Sequence, residues 1–82
     1  MLTVYSKTVC PYCVNAKNFL RARGIDFQEV NIEEDDAARE FLREAGHRTV
    51  PQIYKDGEVF VEGGWAGLSK LSVEELNSKL GK

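Results

Sequence analysis

The chain has 82 residues, of which 43% are hydrophobic and 29% charged, with a formal net charge of −2. These values suit one globular domain over residues 1–82 and exclude a disordered chain, a membrane span and a basic nucleic-acid-binding surface. Met1 leads directly into a predicted strand without the pattern of a signal peptide, so we expect a cytoplasmic protein. At this size a monomer is the default, with no membrane or nucleic-acid partner.

The N-terminal half of the chain predicts two strands, each followed by a helix. Residues 2–5 are extended and apolar, and residues 11–23 predict a helix that begins at a proline, a residue favoured at the first helical position. Residues 25–32 alternate apolar and polar side chains with the two-residue period of a strand. Residues 33–45 predict the second helix, whose apolar stripe consists of Ala38, Phe41, Leu42 and Ala45.

The C-terminal half predicts a hairpin and two short helices. Strands are predicted at residues 51–55 and 58–61, and Asp56-Gly57 between them is typical of a two-residue hairpin turn. Residues 65–80 have helical character, with a capping box at Ser72 and Glu75. The predicted order is β-α-β-α-β-β-α, in which the first two strands are parallel through a right-handed crossover and the hairpin is antiparallel.

The two cysteines lie in Cys10-Pro11-Tyr12-Cys13, between the first predicted strand and the first predicted helix. A sulfur at a helix N-terminus meets exposed N–H groups and the positive end of the helix dipole, which favour a thiolate. The thiolate is the nucleophile in disulfide exchange, and this position lowers the pKa of a cysteine. We therefore predict that Cys10, at the exposed end of the helix, attacks a disulfide and that Cys13, one turn inside, resolves the mixed disulfide.

A zinc half-site is the alternative interpretation of the cysteine pair. Zinc usually takes four ligands from Cys, His or carboxylate, and His47 is the only further nitrogen or sulfur ligand of this kind. Spacing and the expected compartment favour exchange chemistry, and we predict no metal site. A non-catalytic thiol-containing binding module is the third reading, which the position of the cysteines at a helix start argues against.

Three signals in order resemble the glutaredoxin family of the dithiol CPYC type: the Cys10–Cys13 motif, Thr49-Val50-Pro51, and Gly63-Gly64. Together they span nearly the whole chain. The resemblance implies an α/β thioredoxin fold, a four-stranded mixed sheet flanked by three to four helices. It also implies reduction of protein disulfides and glutathione mixed disulfides, with glutathione as reductant and no permanently bound cofactor.

The resemblance also implies a set of glutathione-binding residues. Lys7 would meet the glycine carboxylate of glutathione, or else be an ordinary solvated lysine. Tyr12 would line the peptide groove, or else be a surface aromatic. Cis bonds account for only about 5–6% of X–Pro bonds, but the resemblance implies a cis bond before Pro51. Thr49 and Val50 would then bind the cysteinyl part of glutathione, or else simply lead into the strand.

The chain departs from this family after its glycine pair. Glutaredoxins commonly have a polar residue and an aspartate there, which hold the γ-glutamyl end of glutathione, whereas this chain has Trp65-Ala66-Gly67. Backbone N–H groups near Gly64, Trp65 and Ala66 would remain for the carboxylate. A lost charged hydrogen bond is worth roughly 1.5–3 kcal/mol, so we expect weak glutathione binding. Trp65 would either contact substrate or anchor the last helices.

Two alternatives within the resemblance stay open. The Trp-small-Gly pattern is loosely similar to redoxins that supply ribonucleotide reductase and take electrons from thioredoxin reductase. Ribonucleotide reductase is accordingly a candidate partner. The other alternative is an iron–sulfur carrier, in which two protomers share a cluster through Cys10 thiolates and glutathione. Pro11 and Tyr12 favour the dithiol branch over the carriers.

Overall fold

A computed structural model describes residues 1–81 of the chain. Four strands and four helices follow one another in the predicted order, and the C-terminal region forms two short helices as expected. In chain order they are β1 (Leu2–Ser6), α1 (Pro11–Ala22), β2 (Phe27–Asn31), α2 (Asp36–Glu44), β3 (Gln52–Lys55), β4 (Glu58–Val61), α3 (Trp65–Leu68) and α4 (Val73–Leu80).

The strands form one mixed sheet in the order β2-β1-β3-β4. β1 is parallel to β2 and antiparallel to β3, and β3 and β4 form the antiparallel hairpin. This confirms the four-stranded mixed sheet of the thioredoxin fold. Because β1 is central, the loop that follows it lies at the middle of one sheet edge, beside the loop that enters β3.

The second helix is shorter than predicted, because the acidic residues before it form a turn. The side chain of Asn31 accepts a hydrogen bond from the Glu33 N–H at 2.9 Å, and the Asp35 side chain caps the helix by accepting from the Ala38 N–H at 3.0 Å. These local bonds compete with helix formation, and α2 begins only at Asp36. Of its predicted apolar stripe only Leu42 is buried, so that prediction was too broad.

The core lies between the sheet and the helices α1, α3 and α4. A register shift between Ile53 and Tyr54 breaks the pairing of β3 with β4. Phe60 is the extra residue on β4 at this irregularity, and both Phe60 and the adjacent Val61 are buried. Helix α1 contributes to the core from one face, and the core cluster consists of Leu2, Val4, Ala16, Leu20, Ile25, Ile53, Phe60, Val61, Leu68 and Leu76. Within residues 1–81, no helix has the length and apolar character that crossing a membrane requires.

Glu29 connects β2 to the strand and helix beside it. Its carboxylate accepts 2.8 Å hydrogen bonds from the Ser6 hydroxyl and from the Lys17 ammonium. The Lys17 hydrogen bond, followed by the one from Ser6, holds the pKa of Glu29 below its ordinary value. A depressed folded-state pKa means that this stabilisation is present above the unfolded pKa and is lost as the pH falls through the folded value.

We therefore expect Glu29→Gln to lower the free energy of unfolding at neutral pH by less than about 1 kcal/mol, because the ion pair is partly exposed. The variant should also lose less stability than the wild type as the pH falls below about 4.5. Urea unfolding at several pH values measures both effects. Glu34→Gln, which removes an exposed carboxylate in the turn before α2, is the matched control. Equal pH dependence in wild type and Glu29→Gln would contradict the assignment.

Candidate active site

Cys10 is the N-cap residue of α1, as the sequence predicts. Its backbone is extended, with φ −152° and ψ 94°, and its sulfur accepts a hydrogen bond from the Cys13 N–H at 3.2 Å. Its carbonyl oxygen accepts the first bond of the helix, from the Val14 N–H at 3.1 Å. The sulfur therefore lies at the positive end of the helix dipole with an N–H donor aimed at it, an arrangement that stabilises a thiolate.

The two cysteines form a disulfide across the first turn of α1, with their Cα atoms 5.2 Å apart. Both are largely buried in this oxidised form, Cys10 at 7% exposure and Cys13 at 1%. Cys10 is thus less exposed than expected, because its sulfur lies between the helix start and the loop before β3. Cys10 is still the more exposed of the two residues.

The loop before β3 faces Cys10 across the sheet edge. The Val50–Pro51 peptide bond is cis, as the resemblance implies, and the Val50 carbonyl oxygen lies 3.8 Å from the Cys10 sulfur. The buried side-chain amide of Gln52 donates a 2.8 Å hydrogen bond to the carbonyl of Thr49. This bond attaches the loop to Gln52, the first residue of β3.

Most of the predicted glutathione-binding residues line one cavity of about 350 Å³ beside the disulfide, which we call the redox cavity. Its size is within the range of small-molecule sites. Gly63 also lines the cavity, although only its neighbour Gly64 was predicted to bind glutathione. The predicted residues brought together here are Tyr12, Thr49, Val50, Pro51, Gly64, Trp65 and Ala66.

Of the predicted glutathione-binding residues, Lys7 is the one that does not line the redox cavity. It lies on a neighbouring cavity of about 650 Å³, and Thr49 and Val50 line both cavities. The two cavities therefore adjoin at Thr49 and Val50. Arg39 and Arg43 of α2 also line this second cavity. Neither was predicted as a site residue, because the pattern of a helix does not show which distant loop it meets.

Two glycines allow the loop between β4 and α3 to pack closely. Gly64 has a φ of +57°, and a Cβ there would overlap the carbonyl oxygen of Pro51. A Cβ at Gly67 would overlap the carbonyl oxygen of Glu62 and crowd a methyl group of Val61. The aspartate that glutaredoxins commonly carry at this point therefore has no room at position 67. The close packing around Gly67 therefore requires glycine at the position where the sequence differs from other glutaredoxins.

Trp65 both packs on the core and lines the redox cavity, so the two readings left open by the sequence are compatible. Its ring meets the Phe19 ring edge to face, with centroids 5.7 Å apart and planes at 81°. The guanidinium of Arg23 lies 3.6 Å from the centroid of Phe19 on α1. Phe19 thus supports the wall of the cavity. The sequence shows an apolar residue at this position of α1 but not its contact with Trp65.

His47 contacts a tyrosine of β3 and lines the second cavity. Its Nε2 atom lies 2.7 Å from the Tyr54 hydroxyl, and the two rings meet edge to face. In the part of the chain that the structure describes, no three His, Cys, Asp or Glu side chains come together as a metal-binding group.

Comparison with known proteins gives the family. The family model described as glutaredoxin matches residues 2–60. The chain belongs to the glutaredoxin family. Glutaredoxin 3 of Escherichia coli is 43% identical over 56 residues, covering 67% of this chain and 68% of that protein. The family's members are thiol–disulfide oxidoreductases, and the Cys10–Cys13 pair supplies the two sulfurs for that chemistry.

Two solved structures represent different glutaredoxin-like proteins. The NrdH-redoxin of Escherichia coli, described as glutaredoxin-like with a thioredoxin-like activity profile, has a TM-score of 0.65 and 31% identity, covering 66% of this chain and 71% of its own. A buckwheat glutaredoxin in complex with glutathione has a TM-score of 0.66 and 29% identity, covering 96% and 71%. The chain is thus similar both to a redoxin described as having a thioredoxin-like activity profile and to a glutaredoxin solved in complex with glutathione.

Proposed function

We propose that the chain is a dithiol oxidoreductase that reduces protein disulfides and glutathione mixed disulfides, with glutathione as its reductant. The observation that carries the proposal is the position of the Cys10 sulfur, which caps α1 and lies 3.8 Å from the carbonyl oxygen of Val50. Val50 lines the redox cavity and precedes the cis bond to Pro51. Glutathione is a substrate in this scheme, and no resident cofactor takes part. Disulfide-containing proteins are the partners, with ribonucleotide reductase a candidate among them.

The proposed cycle balances two electrons and two protons. The Cys10 thiolate attacks one sulfur of the substrate disulfide, that S–S bond breaks, and the other substrate sulfur leaves as a thiolate that takes up a proton. Cys13 then loses its proton and attacks the Cys10 sulfur. The second substrate thiol is released and the Cys10–Cys13 disulfide forms. Two glutathione molecules restore the dithiol and become one glutathione disulfide.

The redox cavity supports glutathione as the reductant through its position and its lining. Its lining includes Tyr12, which lies between the two cysteines, and the Thr49–Pro51 segment that leads into β3, with which an extended peptide can pair. Lys7, on the adjoining cavity, offers a cation for a carboxylate. The similarity to a glutaredoxin that has been solved with glutathione supports the same assignment. A monomer in the reducing cytoplasm is the proposed setting.

One observation favours a second candidate, a redoxin reduced by thioredoxin reductase. The side chains at Ala66 and Gly67 offer no hydrogen-bonding group to the γ-glutamyl end, and the packing of Gly67 leaves no room for one. The similarity to NrdH-redoxin, whose activity profile is described as thioredoxin-like, supports this candidate. The two candidates share the Cys10 chemistry and differ in what reduces the disulfide.

We expect the oxidised protein to be reduced by NADPH with glutathione and glutathione reductase faster than by NADPH with thioredoxin reductase. NADPH consumption, measured with insulin as the disulfide substrate in both systems, compares the two routes. Escherichia coli glutaredoxin 3 and a thioredoxin serve as reference proteins. Faster turnover with thioredoxin reductase would replace the glutathione proposal by the second candidate. Turnover with neither reductant would contradict both.

A further inference from the structure

The second cavity is a local concentration of positive charge. Among the residues that the structure describes, four cationic side chains line it, those of Lys7, Arg39, Arg43 and Arg48, and no carboxylate side chain does. Leu42 and Val50 belong to its apolar wall. We call this cavity the basic groove. Because the whole chain has a net charge of −2, the groove is an exception to the overall charge rather than part of a generally basic surface.

The cations of the basic groove remain available to a ligand. In the described residues, no ion pair involves Lys7 or Arg48, and both side chains are exposed. Arg43 pairs with Glu40 on its own helix, and Arg39 pairs in the same way one turn earlier. Such exposed pairs are weak, and a guanidinium has five N–H donors, so both arginines can bind a further carboxylate.

The basic groove adjoins the redox site. Thr49 and Val50 line both cavities, and the Val50 carbonyl oxygen is 3.8 Å from the Cys10 sulfur. An extended polypeptide advances about 3.3 Å per residue. A substrate segment whose cysteine reaches Cys10 and whose chain runs past Val50 would therefore place its next few residues in the groove.

We propose that the basic groove binds an acidic segment of the protein substrate, on one side of the cysteine that Cys10 attacks. The inference rests on the proposed function, since it identifies the class of protein disulfide that the site prefers. Aspartate and glutamate match the bidentate geometry of the arginines, and the wall at Leu42 and Val50 suits the aliphatic residues between them.

The surroundings of the groove favour a peptide over a nucleic acid. Asp36 and Glu40 stand beside Arg39 and Arg43 on the exposed surface of α2, so the positive charge is confined to the groove. A nucleic acid requires a basic stripe that follows its evenly spaced phosphates. Separate carboxylates on a flexible segment can avoid Asp36 and Glu40 while reaching the arginines.

The test compares two disulfide peptides that differ only in three residues beside the reacting cysteine, acidic in one and the matching amides in the other. The measurement is the second-order rate constant for their reduction by the pre-reduced protein. We expect the acidic peptide to react about tenfold faster at low salt, since each exposed ion pair contributes up to about fivefold. The preference should nearly disappear at about 1 M salt, where the Debye length is roughly 3 Å.

Arg43→Gln combined with Arg48→Gln should reduce the preference for the acidic peptide to less than about twofold. The control is Arg21→Gln combined with Lys70→Gln, which removes the same charge outside the groove and should keep the preference. Replacing Arg43 and Arg48 by glutamate should make a lysine-flanked peptide the faster substrate. Circular dichroism confirms that each variant is folded.

The outcomes separate this inference from the proposed function. If no peptide disulfide is reduced, the proposed function itself fails. If the amide peptide is reduced but the acidic one is not preferred, the groove inference is overturned. It is also overturned if the control loses the preference as fully as the groove variant, because overall charge would then account for it. Stronger inhibition by an oligonucleotide than by an acidic peptide of equal charge would likewise contradict a peptide-binding groove.

Discussion

Cys10→Ser is expected to lose reduction of a glutathione mixed disulfide by at least about a thousandfold, the scale on which loss of a covalent nucleophile acts in other enzymes. The helix-capping position of Cys10 gives its sulfur the N–H donor from Cys13 and the positive end of the α1 dipole. A serine hydroxyl at the same place stays protonated and cannot form the mixed disulfide. The measurement is the NADPH-coupled rate with glutathione and glutathione reductase.

Cys13→Ser is the matched control, because it removes a sulfur three residues away without removing the attacking one. It should keep reduction of the glutathione mixed disulfide, since a second glutathione can release the product, and lose reduction of a protein disulfide that requires both thiols. In the reduced wild type, iodoacetamide should modify Cys10 before Cys13 near neutral pH. Activity retained by Cys10→Ser and lost by Cys13→Ser would reverse the two roles.

Gly67→Asp is expected to destabilise the fold by about 1–3 kcal/mol, the range for overpacking a filled site. A Cβ at this position would overlap a backbone carbonyl, that of Glu62, which cannot turn aside as the end of a flexible side chain can. The turn between β4 and α3 would have to move, together with Trp65 and the wall of the redox cavity. Urea unfolding of both proteins measures the loss.

The control for this prediction is Ala66→Thr, which adds a polar group at the exposed neighbouring position. It should leave the free energy of unfolding within about 0.5 kcal/mol of the wild type. Calorimetry with glutathione should show a modest gain in affinity for Ala66→Thr, at most about tenfold for one added hydrogen bond. If Gly67→Asp were as stable as the wild type and bound glutathione more tightly, the close packing of this turn would be contradicted.

Much of the fold could be predicted because its signals are local. The period of residues 25–32, the Asp56-Gly57 turn and the Ser72–Glu75 capping box each specify an element within a few residues. The start of α2 was predicted wrongly although its cause is also local. Asn31 and Asp35 form side-chain bonds to the backbone that compete with the helix, and the prediction rested on periodicity, which does not register such bonds.

The part of the site that could be predicted is the part in which residue type and spacing along the chain indicate the chemistry. The Cys10-Pro11-Tyr12-Cys13 motif specifies both sulfurs, and the resemblance to glutaredoxins located the other predicted residues. The support of Trp65 by Phe19 was not predictable, since it depends on how two elements distant in the chain meet. The sequence also did not show that Lys7 and the arginines of α2 line the same cavity, for the same reason.

The amino-acid sequence alone determined the order of the strands and helices and the placement of a cysteine at a helix start, because backbone propensity and capping act between near neighbours. The tertiary structure decided that position 67 has no room for a side chain and that four cations share one groove beside Val50. Both facts depend on distances between atoms that folding brings together from separate parts of the chain, and residue order does not encode those distances directly.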